Sequence, residues 1–322
     1  MTASQASPAK TTRRPPLSWR RYLLLLPLLV VLLGVLTIAI ELGSNVPDSD
    51  QVSSTDIIWI FTYAVAAGTG AVILIYVPSH LVGRYLLGYG LCGSVAFTSF
   101  AVAVLLAESG SPNGAAAAEA FSAAIISAGF LFLPASLLVF PTGTLPSRRW
   151  RVVVWVMVAA AVSGGAAALV TGGFGGDLNG DTTFGPGPLT DQFGELAAAV
   201  SNIFFLGLFV SLVATALSLV VRFRGSSGDE RLQIKWVATA GVFLVLSTVL
   251  NGPSEVSGSS EVILALGLAA VPVSMAVAII KYRLFDIDVV IKRSITFGVL
   301  VVFIGVMYVA IVVGVGELLG DR

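Results

Sequence analysis

The chain has 322 residues, of which 56% are hydrophobic and only 11% charged. A soluble domain carries roughly 25% charged residues, so an ordinary water-soluble enzyme core is excluded. The formal net charge of zero offers no pull toward nucleic acid, and one cysteine, Cys92, excludes an internal disulfide or a cysteine metal cluster.

The hydrophobicity comes in blocks, and block length separates membrane helices from core elements. Crossing a hydrocarbon layer of about 30 Å takes about 20 helical residues. Residues 1–21 are polar, contain proline and carry Lys10, Arg13, Arg14, Arg20 and Arg21; they read as a disordered basic cytoplasmic tail. Candidate spans follow near Tyr22–Ile40, Ile57–Tyr76, Tyr85–Ala107, Ala120–Phe140, Val152–Thr171, Leu196–Val221, Trp236–Leu250, Val262–Ile280 and Phe297–Leu319. The fold class expected is therefore all-α: a polytopic bundle of about nine transmembrane helices over residues 22–319, with residues 320–322 as an outer end. The apolar run to Ile40 is long for a signal peptide, and no small-x-small cleavage site stands out near Glu41.

Loops rich in Lys and Arg stay in the cytoplasm. With the N-terminus inside, alternation of nine spans puts 17 of the 18 basic residues on the inner side, Arg322 excepted, and 14 of the 18 acids outside. This partition predicts an inner N-terminus and an outer C-terminus. Trp19, Trp150, Trp155 and Trp236 fall at inner ends and Trp59 at an outer end, as interfacial anchors do. Lipid bilayer is the partner this pattern demands, in a multi-pass plasma-membrane protein.

The middles of the spans hold no Asp, Glu, Lys, Arg or His. A coupled transporter usually places titratable groups there, and an intramembrane hydrolase needs a base or metal ligands. The sequence thus offers no catalytic, cofactor-binding or metal-binding constellation. Ser and Thr within spans read as hydrogen-bonding glue, Pro27, Pro134 and Pro272 as kink positions, and Gly68, Gly70, Gly164 and Gly165 as points of close helix approach. His80, the one histidine, reads as a solvated residue of the short inner loop Val77–Arg84, and Cys92 as a small packing residue. The outer loop of about Gly172–Glu195 reads as flexible. Within it, Asp177, Asn179 and Asp181 alternate as in a calcium loop, but Thr182 and Pro188 occupy the positions that need Gly and Glu.

Five inner segments belong together: Pro78-Ser-His-Leu-Val-Gly-Arg-Tyr-Leu-Leu, Phe140-Pro-Thr-Gly-Thr-Leu-Pro-Ser-Arg-Arg-Trp-Arg, Asp229-Glu-Arg-Leu-Gln-Ile-Lys-Trp, Val271-Pro-Val-Ser-Met-Ala-Val-Ala-Ile-Ile, and Lys281-Tyr-Arg-Leu-Phe-Asp-Ile-Asp-Val-Val-Ile-Lys-Arg-Ser. In order and spacing they resemble the N-terminal membrane region of actinobacterial sensor histidine kinases, over most of the chain from Tyr22 onward. The resemblance implies a membrane-embedded signal-input region of a two-component system and a homodimer. It also implies a cytoplasmic kinase module or response regulator, reached only through a longer parent chain. The chain departs from the pattern at Thr144, where the family often has a basic residue. It also departs after the D-I-D segment, where the family continues through two spans and a kinase while this chain has one span. That departure predicts a fragment or a shortened product that phosphorylates nothing by itself.

Arg283, Asp286, Asp288, Lys292 and Arg293 form a short inner connector of mixed charge, interleaved with Leu284, Phe285, Ile287, Val289 and Val290. Such a segment could couple the eighth span to the ninth, a structural linker being the plainer reading; Asp286 and Asp288 form a D-x-D that could ligate a metal, and interfacial ion pairing with Arg283, Lys292 and Arg293 is the plainer reading of that pair. The alternative function is a stand-alone membrane protein, either a passive small-solute permease or a modulatory subunit of a signalling complex.

Overall fold

A computed structural model describes residues 17–44, 54–172, 189–251 and 258–283. They form eight α-helices in chain order: α1 Leu17–Gly43, α2 Ser54–Tyr76, α3 Leu81–Glu108, α4 Pro112–Val139, α5 Arg151–Thr171, α6 Thr190–Gly225, α7 Gly228–Asn251 and α8 Gly258–Arg283. No strand occurs among the described residues. A helix satisfies every interior backbone N–H and C=O within itself, which is what a segment in hydrocarbon requires. Six helices, α1 to α6, are long and apolar enough to cross a membrane. α7 and α8 coincide with the seventh and eighth expected spans, and α8 carries a shorter apolar stretch, Leu266–Lys281. The ninth expected span, residues 1–16 of the tail, the 173–188 part of the outer loop with Asp177 to Asp181, and the outer end 320–322 lie outside the described residues.

Helix starts differ from the sequence expectation where hydropathy is a poor guide. α4 begins at Pro112, eight residues before the expected span, because proline opens a helix readily and Ala115–Ala118 propagate it. Glu119, expected in an outer segment, therefore lies two turns inside α4 and is buried. α6 likewise begins at Thr190, so the last residues of the presumed flexible loop are helical. α1, α4 and α8 run on through Pro27, Pro134 and Pro272.

Sequence neighbours pack together: α2 on α3, α3 on α4, α4 on α5, α5 on α6 and α7 on α8. α1 lies against α2 and α3, and α4 also meets α6. α7 barely meets α6; the α7–α8 pair joins the bundle through α8, which packs on α2. Glycine sets some of these approaches. A Cβ on Gly70 would come within 2.6 Å of Leu87 N and 2.7 Å of Gly83 O, so α2 and α3 touch backbone to backbone. A Cβ on Gly164 would reach 2.7 Å from the Phe204 ring, on α6. Gly68 has open space, and Gly165 makes only ordinary contact with Ala124, so two of the four expected approach points are real ones. Cys92 lies against Gly129 of α4, as a packing residue should.

The polarity of the bundle is inverted relative to a soluble protein. On α6 the buried face is Ser201, Phe204, Gly207, Ser211, Thr215 and Ser218, at helical spacing. Its outward face carries Leu206, Phe209 and Leu217, each more than half exposed. Large apolar side chains outside and small hydroxyl residues inside suit a lipid solvent. Most of the buried hydroxyls bond to a neighbouring helix or along their own: Thr37 Oγ1 lies 3.0 Å from Thr98 Oγ1, Ser122 Oγ donates to Ala96 O at 2.7 Å, and Thr215 Oγ1 donates to Pro134 O at 3.3 Å. Every Lys and Arg among the described residues, from Arg20 to Arg283, sits at one end of the bundle. The described acids sit toward the other end, except Asp229 and Glu230 in the first turn of α7.

Candidate functional site

Of the connector expected to couple spans eight and nine, Arg283 is the last residue of α8, while Asp286, Asp288, Lys292 and Arg293 lie outside the described residues. The site that can be built is the basic end to which that connector attaches.

It starts at the turn between α2 and α3. Val77 N still donates to Ile73 O at 2.7 Å, but Pro78 has no N–H to offer and the helix ends. His80 then stands at the N-cap of α3 with extended backbone and no side-chain cap bond. Its ring is directed to another loop. His80 Nε2 lies 3.0 Å from Pro141 O, across 61 residues of sequence. A carbonyl oxygen only accepts, so Nε2 carries the hydrogen of this bond. His80 is 3% exposed, which corrects its expected status as a solvated residue. The turn is not open to water because the α4–α5 loop folds over it.

That loop has its own reasons for its shape. The Phe140–Pro141 peptide is cis and Phe140 is fully buried. Gly143 takes the left-handed conformation (φ +78°), which side chains rarely adopt, and a Cβ there would stand 3.4 Å from the His80 ring. Leu145 packs between the two flanking apolar clusters, and a 3-10 turn, Arg148–Trp150, leads into α5.

Arg222, near the end of α6, clamps the same loop. Its Nη1 donates to Thr142 Oγ1 at 3.3 Å, and its Nη2 donates to Thr144 O and, at 3.5 Å, to Leu138 O. The Thr142 and Thr144 hydroxyls lie 2.9 Å apart. Position 144, where the resemblance leads one to expect a basic side chain, thus contributes its backbone carbonyl to a guanidinium from another helix.

Below the loops one apolar cluster joins four elements. Ile73 and Val82 come from the α2–α3 hairpin, Phe140 from the loop, Ile234 and Val237 from α7, and Val271, Met275 and Ile279 from α8. Cation–ring contacts mark its rim: Arg231 lies 4.7 Å from the Phe223 ring and Lys281 lies 5.8 Å from the Trp236 ring. Four of the five segments singled out in the sequence therefore meet in one body, and the fifth begins at its edge with Lys281. The sequence reading missed both ties that hold it, His80 to Pro141 and Arg222 to the 142–144 backbone. Only the Pro-Thr-Gly run at 141–143 hinted at a tight, packed loop.

Among the described residues no group of three or more His, Cys, Asp or Glu could hold a metal ion. The His80 ring is buried and its Nε2 is engaged with a carbonyl. What the site can do is pass a displacement of α8 to α7, to the α2–α3 turn and to the α4–α5 loop, since all share one packed body. Comparison with protein families, with curated proteins and with solved structures yields no match.

Proposed function

We propose that the chain is the membrane-embedded signal-input region of a two-component sensor histidine kinase, with its basic end in the cytoplasm of a plasma-membrane protein. In this reading nine helices span the bilayer: α1 to α8 and a ninth over Phe297–Leu319. One observation carries the proposal. Four of the five segments that resemble sensor-kinase membrane regions are spread from Pro78 to Ile280 in sequence, yet they share one buried cluster at the end of α8 from which the D-I-D connector leaves. A change of ligand or bilayer state that favours one packing of α8 would shift the connector through that cluster. The kinase module and the response regulator are reached through the parent chain, and a homodimer is the working assembly.

The test is to read the coding DNA beyond the codon for Arg322. The proposal expects a further span, a basic stretch, a helix with an accessible phosphoacceptor histidine and an ATP-binding domain. A stop codon with no kinase gene beside it would sink this reading in favour of a stand-alone membrane protein.

A further inference from the structure

The entry to α5 differs from the rest of the basic end. Arg148, Arg149 and Arg151 stand within four residues on the 3-10 turn and the first residue of α5, and all three are exposed. Among the described residues no carboxylate pairs with these guanidinium groups. Beyond them the outward face of α5 is apolar. Trp155 is 70% exposed and Val152 66%, and Val158, Val162 and Leu169 continue the exposed stripe. Arg151 and Trp155 are four apart and so lie on one face. The opposite face, with Met157, Ala160 and Gly164, is the one buried in the bundle.

We infer that the start of α5 is a binding site for an anionic phospholipid, with its phosphate among Arg148, Arg149 and Arg151 and an acyl chain along the stripe from Trp155. Guanidinium groups bind phosphate oxygens through paired N–H donors. Three of them, unpaired with any carboxylate of the described residues, favour a headgroup that brings net negative charge. A zwitterionic headgroup would bring its own cation against them. The exposed indole suits the boundary between headgroups and chains. An acidic soluble peptide could meet the arginines but would make no contact with the lipid-facing stripe that starts at Val152 and Trp155. This site is independent of the signalling proposal, because it needs only that α5 face lipid.

The test uses the whole chain in vesicles, with Trp155 as the remaining tryptophan after W19F, W59F, W150F and W236F. Its fluorescence is quenched by brominated phosphatidylglycerol in one series and by brominated phosphatidylcholine in another, at equal bromine content. The preference for phosphatidylglycerol should be at least about fivefold, the ratio that one basic residue alone contributes near an anionic surface. It should fall to about one in the added R148Q/R149Q/R151Q variant. If the four-Phe chain does not reconstitute, the quenching lost between the natural chain and W155F gives the same ratio. Equal quenching by the two lipids overturns the site, as does a preference that survives removal of the three arginines. Capture of an acidic peptide by these arginines without any lipid preference overturns it too.

Discussion

Replacing His80 by Ala removes the N–H that Pro141 O accepts and leaves that carbonyl buried without it. The cost of an orphaned buried acceptor is about 1–3 kcal/mol. H80A should therefore lower the unfolding midpoint of the detergent-solubilised chain, and H80Q, which can still donate, should recover part of the loss. R222M keeps the aliphatic stem but removes the donors to Thr142, Leu138 and Thr144. Both residues hold the same few residues of the α4–α5 loop, so H80A/R222M should destabilise by less than the two single losses combined. Strict additivity in a double-mutant cycle would mean that the loop is not a shared element. Neither tie was legible in the sequence. A lone histidine beside basic residues in a short loop has the pattern of a solvated side chain. Its burial comes from a loop 61 residues away whose course depends on Pro141 and Gly143. Arg222 was placed correctly at the basic end, but charge counting assigns a side, not a partner.

Helix positions were legible to the depth that hydropathy measures. The first eight expected spans fall on helices that extend past them wherever the flanking residues favour helix, as with Ala115–Ala118 before the expected fourth span. Close approach was half legible. A Gly-x-Gly pair has two faces, and only packing decides which one meets a neighbour. Gly70 faces the α3 backbone and Gly68 faces open space. Gly70→Ala should thus force two backbones apart, at about 1–3 kcal/mol. Gly68→Ala should be neutral or stabilise by about 0.5–1 kcal/mol through helix propensity alone. Thermal unfolding of the two variants side by side checks this. Equal midpoints would mean that the α2–α3 contact yields to a methyl group without cost.

At the scale of the whole molecule, two independent patterns agree. The burial pattern turns small hydroxyl residues inward and large apolar ones outward, and the charge pattern gathers the described Lys and Arg at one end. The second was visible in the sequence because charge alternates with span order. The first was partly visible, since the Ser201, Ser211, Thr215 and Ser218 stripe of α6 repeats at helical spacing. The proposed orientation puts the basic loops of this bundle in the cytoplasm. Two sites then report opposite sides. A cysteine placed at exposed Ser147, in a chain whose Cys92 is replaced by Ala, should react with a membrane-impermeant maleimide only in inverted vesicles. On the proposed nine-span reading, a reporter fused after Arg322 should be active only in its extracytoplasmic form. Labelling of Ser147→Cys in intact cells would reverse the whole orientation. Labelling as expected, combined with a cytoplasmic reporter at Arg322, would leave the basic end where it is and remove one crossing. In that case the connector after Arg283 and everything following it would stay on the cytoplasmic side, where a kinase module could attach without a further span.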